Sequence, residues 1–183
     1  MTHEVPPPPG PPAQPPNSGG PSAHSFDPAS VNRLDWAILA IGFVVFIFSF
    51  FDYYSWDFGG YGIDLGSVSW SAWHFSHGLF IAWFAMVLTV LGAAVLAVSL
   101  FAPTVSLPAP ARTLSFLAFA VGFVLYLIAI FAHSDFGPDG GHAFSFWLSL
   151  ILAAVGAVIA LIRAQQTDTV LPGQLNSLPR IGK

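Results

Sequence analysis

Four stretches of this chain, residues 36–51, 78–101, 113–132 and 143–162, contain no Asp, Glu, Lys or Arg. A water-soluble core cannot absorb four such runs. Each approaches the ~20 residues that a helix needs to cross hydrocarbon. The first reaches that length by continuing past Asp52 through Tyr53 and Tyr54. Charged residues make up 8% of the 183-residue chain, against roughly a quarter in globular proteins. The expected fold class is an all-α membrane protein with four transmembrane helices in two tandem helical hairpins, spanning about 34–54, 73–101, 113–133 and 143–163.

The flanking segments complete the domain plan. Residues 1–27 include the run VPPPPGPPAQPPNSGGP, whose prolines lack donors and offer little to bury, so a disordered or polyproline II tail is expected. The transmembrane domain is residues 28–164, followed by a short tail at 165–183. In FDPASVNRLDW, Asp27 is placed to cap a helix whose first position is Pro28, since proline at that position gives up no needed N–H. The first apolar run comes after some thirty residues without a basic leader, so it is expected to stay as an anchor. With no cysteine in the chain, disulfides and thiolate metal sites are excluded.

Orientation follows from the basic residues. Arg33, Arg112, Arg163, Arg180 and Lys183 all fall in the N-terminal flank, the second loop or the C-terminal tail. The first and third loops carry Asp52, Asp57, Asp64, Asp135 and Asp139 instead. Lys/Arg bias therefore puts both termini in the cytoplasm and the acidic loops outside. Trp36, Trp56, Trp70, Trp73, Tyr53, Tyr54 and Tyr61 mostly cluster near the expected boundaries, as amphipathic rings do.

The chain also resembles itself. A shift of eighty aligns AIGFVV at residues 40–45 with AVGFVL at 120–125, and Phe51 with Phe131. A shift of sixty-four matches Phe80, Trp83, Leu88, Gly92 and Ala93 with Phe144, Trp147, Leu152, Gly156 and Ala157. An Asp-Phe-Gly triplet follows the first and third helices, and its glycines mark it as a turn. An internal duplication is the expectation. Small residues recur at helical spacing as Ala85, Thr89 and Ala93 and as Ser149, Ala153 and Ala157. Such rows let helices approach closely in lipid, and the second and fourth helices are expected to form the close pair.

Chemistry-bearing residues gather at the outer face. His74 and His77 share one side of the start of the second helix, while His133 and His142 flank the third loop. With Asp57 and Asp135 they form the candidate metal set: His74, His77, His133, His142, Asp57 and Asp135. Imidazole with carboxylate suits a divalent transition metal. The alternative is that these histidines are ordinary interfacial residues, and the chain has no His-Glu-x-x-His or comparable signature. The apolar runs lack the ionisable residues of transport paths. Their hydroxyls at Ser49, Thr89, Ser115, Ser145 and Ser149 are expected to bond back to their own helices. No catalytic residue and no cofactor-binding residue is expected.

The proline-rich tail, two helical hairpins and Gly/Ala-rich even helices resemble small four-span actinobacterial membrane proteins with a proline-rich cytoplasmic tail. Some of these look like accessory subunits of respiratory or envelope assemblies. The resemblance is one of architecture and carries over no functional residue. It implies a non-enzymatic accessory or scaffold subunit of a larger complex in a bacterial inner (plasma) membrane, multi-pass with both termini cytoplasmic. The partners expected are the lipid bilayer, other integral membrane proteins and a cytoplasmic protein on the proline-rich tail, with no nucleic acid. Phe43, Phe46 and Phe50 are spaced to offer a partner face. The alternative reading is an outward-facing His/Asp metal-binding or redox-sensing protein, and the least favoured is an oligomeric pore or transporter.

Overall fold

A computed structural model describes residues 28–57, 66–74, 80–132 and 140–167. A 3-10 turn at Pro28–Ser30 leads into helix α1, Arg33–Phe48, which is followed by strand β1, Asp52–Asp57. Strand β2, Ser67–Ser71, precedes helix α2, Phe80–Phe101. Helix α3 is Ala111–Ala132, strand β3 is Gly140–His142, and helix α4 is Phe144–Gln166.

Helices α2, α3 and α4 have 22, 22 and 23 residues and are long and apolar enough to cross a membrane. Helix α1 has 16 residues, or about 24 Å at 1.5 Å per residue. The expected first span over 34–54 is therefore corrected: the helix stops at Phe48. Beyond it, Tyr53 and Tyr54 belong to β1. In DYYSWD, aromatic side chains suit a pleated strand better than a helix, where their χ1 freedom is restricted. The second span also begins later than expected, because residues 71–74 are strand and turn.

The start of α1 differs as well. Asn32 is its cap, with the side-chain oxygen accepting from Leu34 N at 2.8 Å. Pro28 opens only the 3-10 turn, and Asp27 lies outside the described residues.

The strands form one antiparallel sheet in the order β2-β1-β3. Tyr54 pairs with Trp70 on one side and His142 on the other. Side chains along a regular strand alternate between faces, yet the consecutive Tyr53 and Tyr54 are both buried. An irregularity between Asp52 and Tyr54 accounts for this, since a bulge resets the alternation. Gly66, at φ 91°, enters β2 in the left-handed region that glycine tolerates. The segments that follow α1 and α3 thus contribute strands as well as turns.

Helix α1 packs on α2 and α4, and α3 packs on the same two, α2·α3 being the most extensive contact. The four helices form a ring in which α2 and α4 lie across the diagonal, so the expected close pair of α2 and α4 is corrected. The small row on α2 instead receives α1 and α3. A side chain added at Gly42 would collide with Ala93, and one at Gly122 would meet Thr89 Oγ1 at 2.7 Å and Ala85 O at 3.0 Å. Between α2 and α4 stands Phe119 of α3, fully buried. Its ring lies where side chains at Gly92 and Gly156 would be. Gly42 and Gly122, and Gly92 and Gly156, are the glycines paired by the two sequence shifts, and each pair plays one packing role.

Candidate functional site

Beneath the sheet, Tyr53 reaches into the bundle. Its hydroxyl donates to Ser149 Oγ at 2.5 Å, and Ser149 Oγ donates to Ser145 O at 2.8 Å. Each hydroxyl has one proton to give, so the 3.1 Å contact between Tyr126 and Tyr53 has Tyr126 as donor. The chain therefore runs from Tyr126 through Tyr53 and Ser149 to a helix carbonyl. Burial raises the Tyr53 pKa above 10.0, and the hydrogen bonds with Ser149 and Tyr126 oppose this less strongly. Burial and the neighbouring Tyr53 raise that of Tyr54 as well.

A second clamp joins β2 to the end of α1. Trp73 Nε1 donates to Ser49 Oγ at 3.0 Å, and Ser49 donates onward to Phe46 O at 2.6 Å. Thr89 likewise donates to Ala85 O at 2.8 Å. Three of the hydroxyls expected to bond back to their own helices, at Ser49, Thr89 and Ser149, do so.

Of the sequence-derived metal set, His74, His142 and Asp57 lie among the described residues. His74 follows β2 in a turn and stacks on Trp70, with centroids 5.5 Å apart. It is not on α2, which corrects the shared helix face expected for His74 and His77. His142 ends β3 and packs on Phe146 at 4.0 Å and Tyr54 at 5.4 Å. Trp70 and His142 flank Tyr54 on opposite strands, which separates their backbones by about two strand spacings, or ~9.6 Å. Asp57 is exposed and faces Ser67 across the ladder. Among the described residues no three His, Cys, Asp or Glu side chains form a metal-holding group. His77, His133 and Asp135 lie outside the described residues.

The opposite end holds a charge cluster that sequence reasoning missed. Asp35, in the first turn of α1, is only 1% exposed. Arg163, in the last turn of α4, donates from Nε to Oδ1 at 2.9 Å and from Nη2 to Oδ2 at 3.1 Å. Arg112, in the first turn of α3, adds one bond to Oδ2 at 3.2 Å. A carboxylate at a helix start and a cation at a helix end both suit the helix dipole, whereas Arg112 at a helix start does not. Asp35 offsets that misplaced charge. A buried carboxylate is retained because its lone pairs meet charged donors. The helical segments therefore do hold an ionisable residue, and it ties α1, α3 and α4 together. One signal was available: Asp35, Arg112 and Arg163 each fall within a turn of the same end of three different helices.

A third feature is lateral. Between α1 and α2 an open groove of about 340 Å³ is floored by Gly42 and Ala93 and walled by Trp36, Phe43, Phe46 and Phe101. No protein-family model matches the chain, and no curated protein matches it. Its class rests on architecture: a mainly helical protein with three helices of membrane-spanning length and a small sheet at one end.

Proposed function

We propose that this protein is a non-enzymatic accessory or scaffold subunit of a larger complex in the bacterial inner membrane. All four helices are embedded, as a duplicated pair of hairpins, with the arginine end cytoplasmic and the sheet outside. One observation carries the reading: the interior polar groups are used to fasten elements of the bundle to one another. Asp35 is held by two arginines, and Tyr53 joins the sheet to α3 and α4 through hydroxyls. Such an interior suits a fixed framework.

The outer surface offers the contact. Phe51 and Phe144 both touch Phe48, joining the end of α1 to the start of α4, and Trp147 lies one turn along from Phe144. Phe51, Phe144 and Trp147 are 55%, 71% and 44% exposed. Aromatic anchors of this kind dominate interface energetics, and in lipid they act by packing. A transmembrane helix of another subunit is the partner proposed for this patch.

Mild detergent extraction of the full chain, followed by identification of co-purifying membrane proteins, tests the reading. A defined set should be retained by the native chain and lost from Phe51→Ala/Phe144→Ala, with the variant still folded and melting only modestly lowered by the lost contacts to Phe48. A chain that runs alone under every gentle condition, or a retained set indifferent to those changes, would sink it.

A further inference from the structure

We infer that the groove between α1 and α2 is a binding site for one anionic phospholipid, with an acyl chain along the groove and the phosphate at Arg33. The groove runs from Trp36 to Phe46 on α1. Ten residues of helix rise about 15 Å, and one leaflet supplies half of a ~30 Å hydrocarbon core. Its depth is that of one leaflet.

A slender chain fits this groove better than a protein helix does. The floor is close-packed, since Gly42 leaves no room for a side chain against Ala93, so the groove cannot deepen to admit a helix without parting α1 from α2. Trp36 and Phe101 meet edge to face at 6.2 Å at the arginine end of the groove.

Charge at that end selects the headgroup. Arg33 precedes Trp36 by three residues, which places it one turn beyond the groove on the same side of α1. Arg112 and Arg163 are each paired with Asp35, but Arg33 is exposed and forms no ion pair among the described residues. A phosphate there would meet a guanidinium whose donor fork suits its oxygens.

Native mass spectrometry of the full chain, with phosphatidylglycerol or phosphatidylcholine added at equal concentration, provides the test. The native chain should retain one phosphatidylglycerol roughly fivefold better than phosphatidylcholine, the factor for about 1 kcal/mol per basic residue at a membrane surface. Arg33→Gln should still retain one lipid but without that preference. Ala94 lines the groove and is exposed, so Ala94→Phe should fill it and release both lipids while the melting temperature holds. Ala97→Leu is the smaller obstruction should Ala94→Phe fail to fold. Undiminished lipid retention in the filled variants, or a headgroup preference that survives Arg33→Gln, would overturn the assignment. So would loss of a protein partner or of self-association in the filled variants with lipid retention intact. None of these readouts depends on which subunit the aromatic patch recruits, so this site and the scaffold role fail separately.

Discussion

Arg163 grips Asp35 with two parallel bonds, of 2.9 and 3.1 Å, joining the last turn of α4 to the first turn of α1. Arg112 adds one bond of 3.2 Å from a side chain twice as exposed, 29% against 15%. The two arginines are therefore unequal. Arg163→Ala leaves a buried carboxylate with a single partner and should cost about 3–5 kcal/mol. Arg112→Ala removes one charged bond and should cost about 2 kcal/mol. Arg163→Lys restores the charge without the fork and should recover only part of the loss. Thermal melting in detergent checks the order, and equal losses from the two alanine variants would contradict it.

The glycines predict a second pattern. Gly42 lies against Ala93, and both Gly92 and Gly156 lie against Phe119. Gly42→Ala and Gly156→Ala should each destabilise the bundle by about 1–3 kcal/mol, as overpacking does. Phe119→Leu should relieve Gly156→Ala and leave Gly42→Ala unrelieved. Double-mutant cycles should couple Gly42 to Ala93 and show no coupling between Ala93 and Ala157, the pair that an α2 and α4 contact would require. Coupling of Ala93 to Ala157 above about 0.5 kcal/mol would refute this packing.

These residues also mark how far the sequence could be read. Uncharged runs located α2, α3 and α4 to within a few residues of their ends, because length and polarity in a span are local properties. The small row of Ala85, Thr89 and Ala93 correctly marked a face of close approach. Which helix meets that face depends on the order of the bundle, which periodicity does not encode. Strand β1 was hidden by the length of the first apolar run, although aromatic-rich DYYSWD and SVSWS on either side of a glycine-rich loop were a legible strand pair. Asp35 carries no local signal of its role, because its two partners are 77 and 128 residues away. The histidines drew attention by type, and the two that are described, His74 and His142, pack on aromatic neighbours.

The hydroxyl chain predicts an alkaline weakness. An unfolded tyrosine ionises near pH 10, whereas burial holds Tyr53 and Tyr54 protonated to higher pH. The folded state therefore binds those protons more tightly. Stability from them is full below the unfolded value and declines as pH rises above about 10, until the folded values are passed. Tyr53→Phe leaves the buried Tyr126 hydroxyl without its acceptor, so it should cost about 1–3 kcal/mol at neutral pH and flatten the alkaline decline. Melting curves from neutral to strongly alkaline pH give the comparison, and identical slopes for native and variant chains would show that Tyr53 does not contribute.

The cysteine-free chain makes the proposed orientation directly measurable. Ser67 begins β2 and Gly141 lies in β3, both at the sheet end, while Ser106 is exposed in the connection between α2 and α3 at the arginine end. Because Lys/Arg bias places the arginine end in the cytoplasm, single cysteines at Ser67 and Gly141 should react with an impermeant thiol reagent in intact cells. Those at Ser106 and Ser25 should react only after the membrane is opened. Ser67 and Gly141 lie on strands that both pair with β1, so the two must label alike if the sheet holds in the membrane. Labelling of Ser106 or Ser25 in intact cells, with Ser67 and Gly141 silent, would invert the orientation. A split between Ser67 and Gly141 would mean instead that the sheet does not persist in the bilayer-embedded protein.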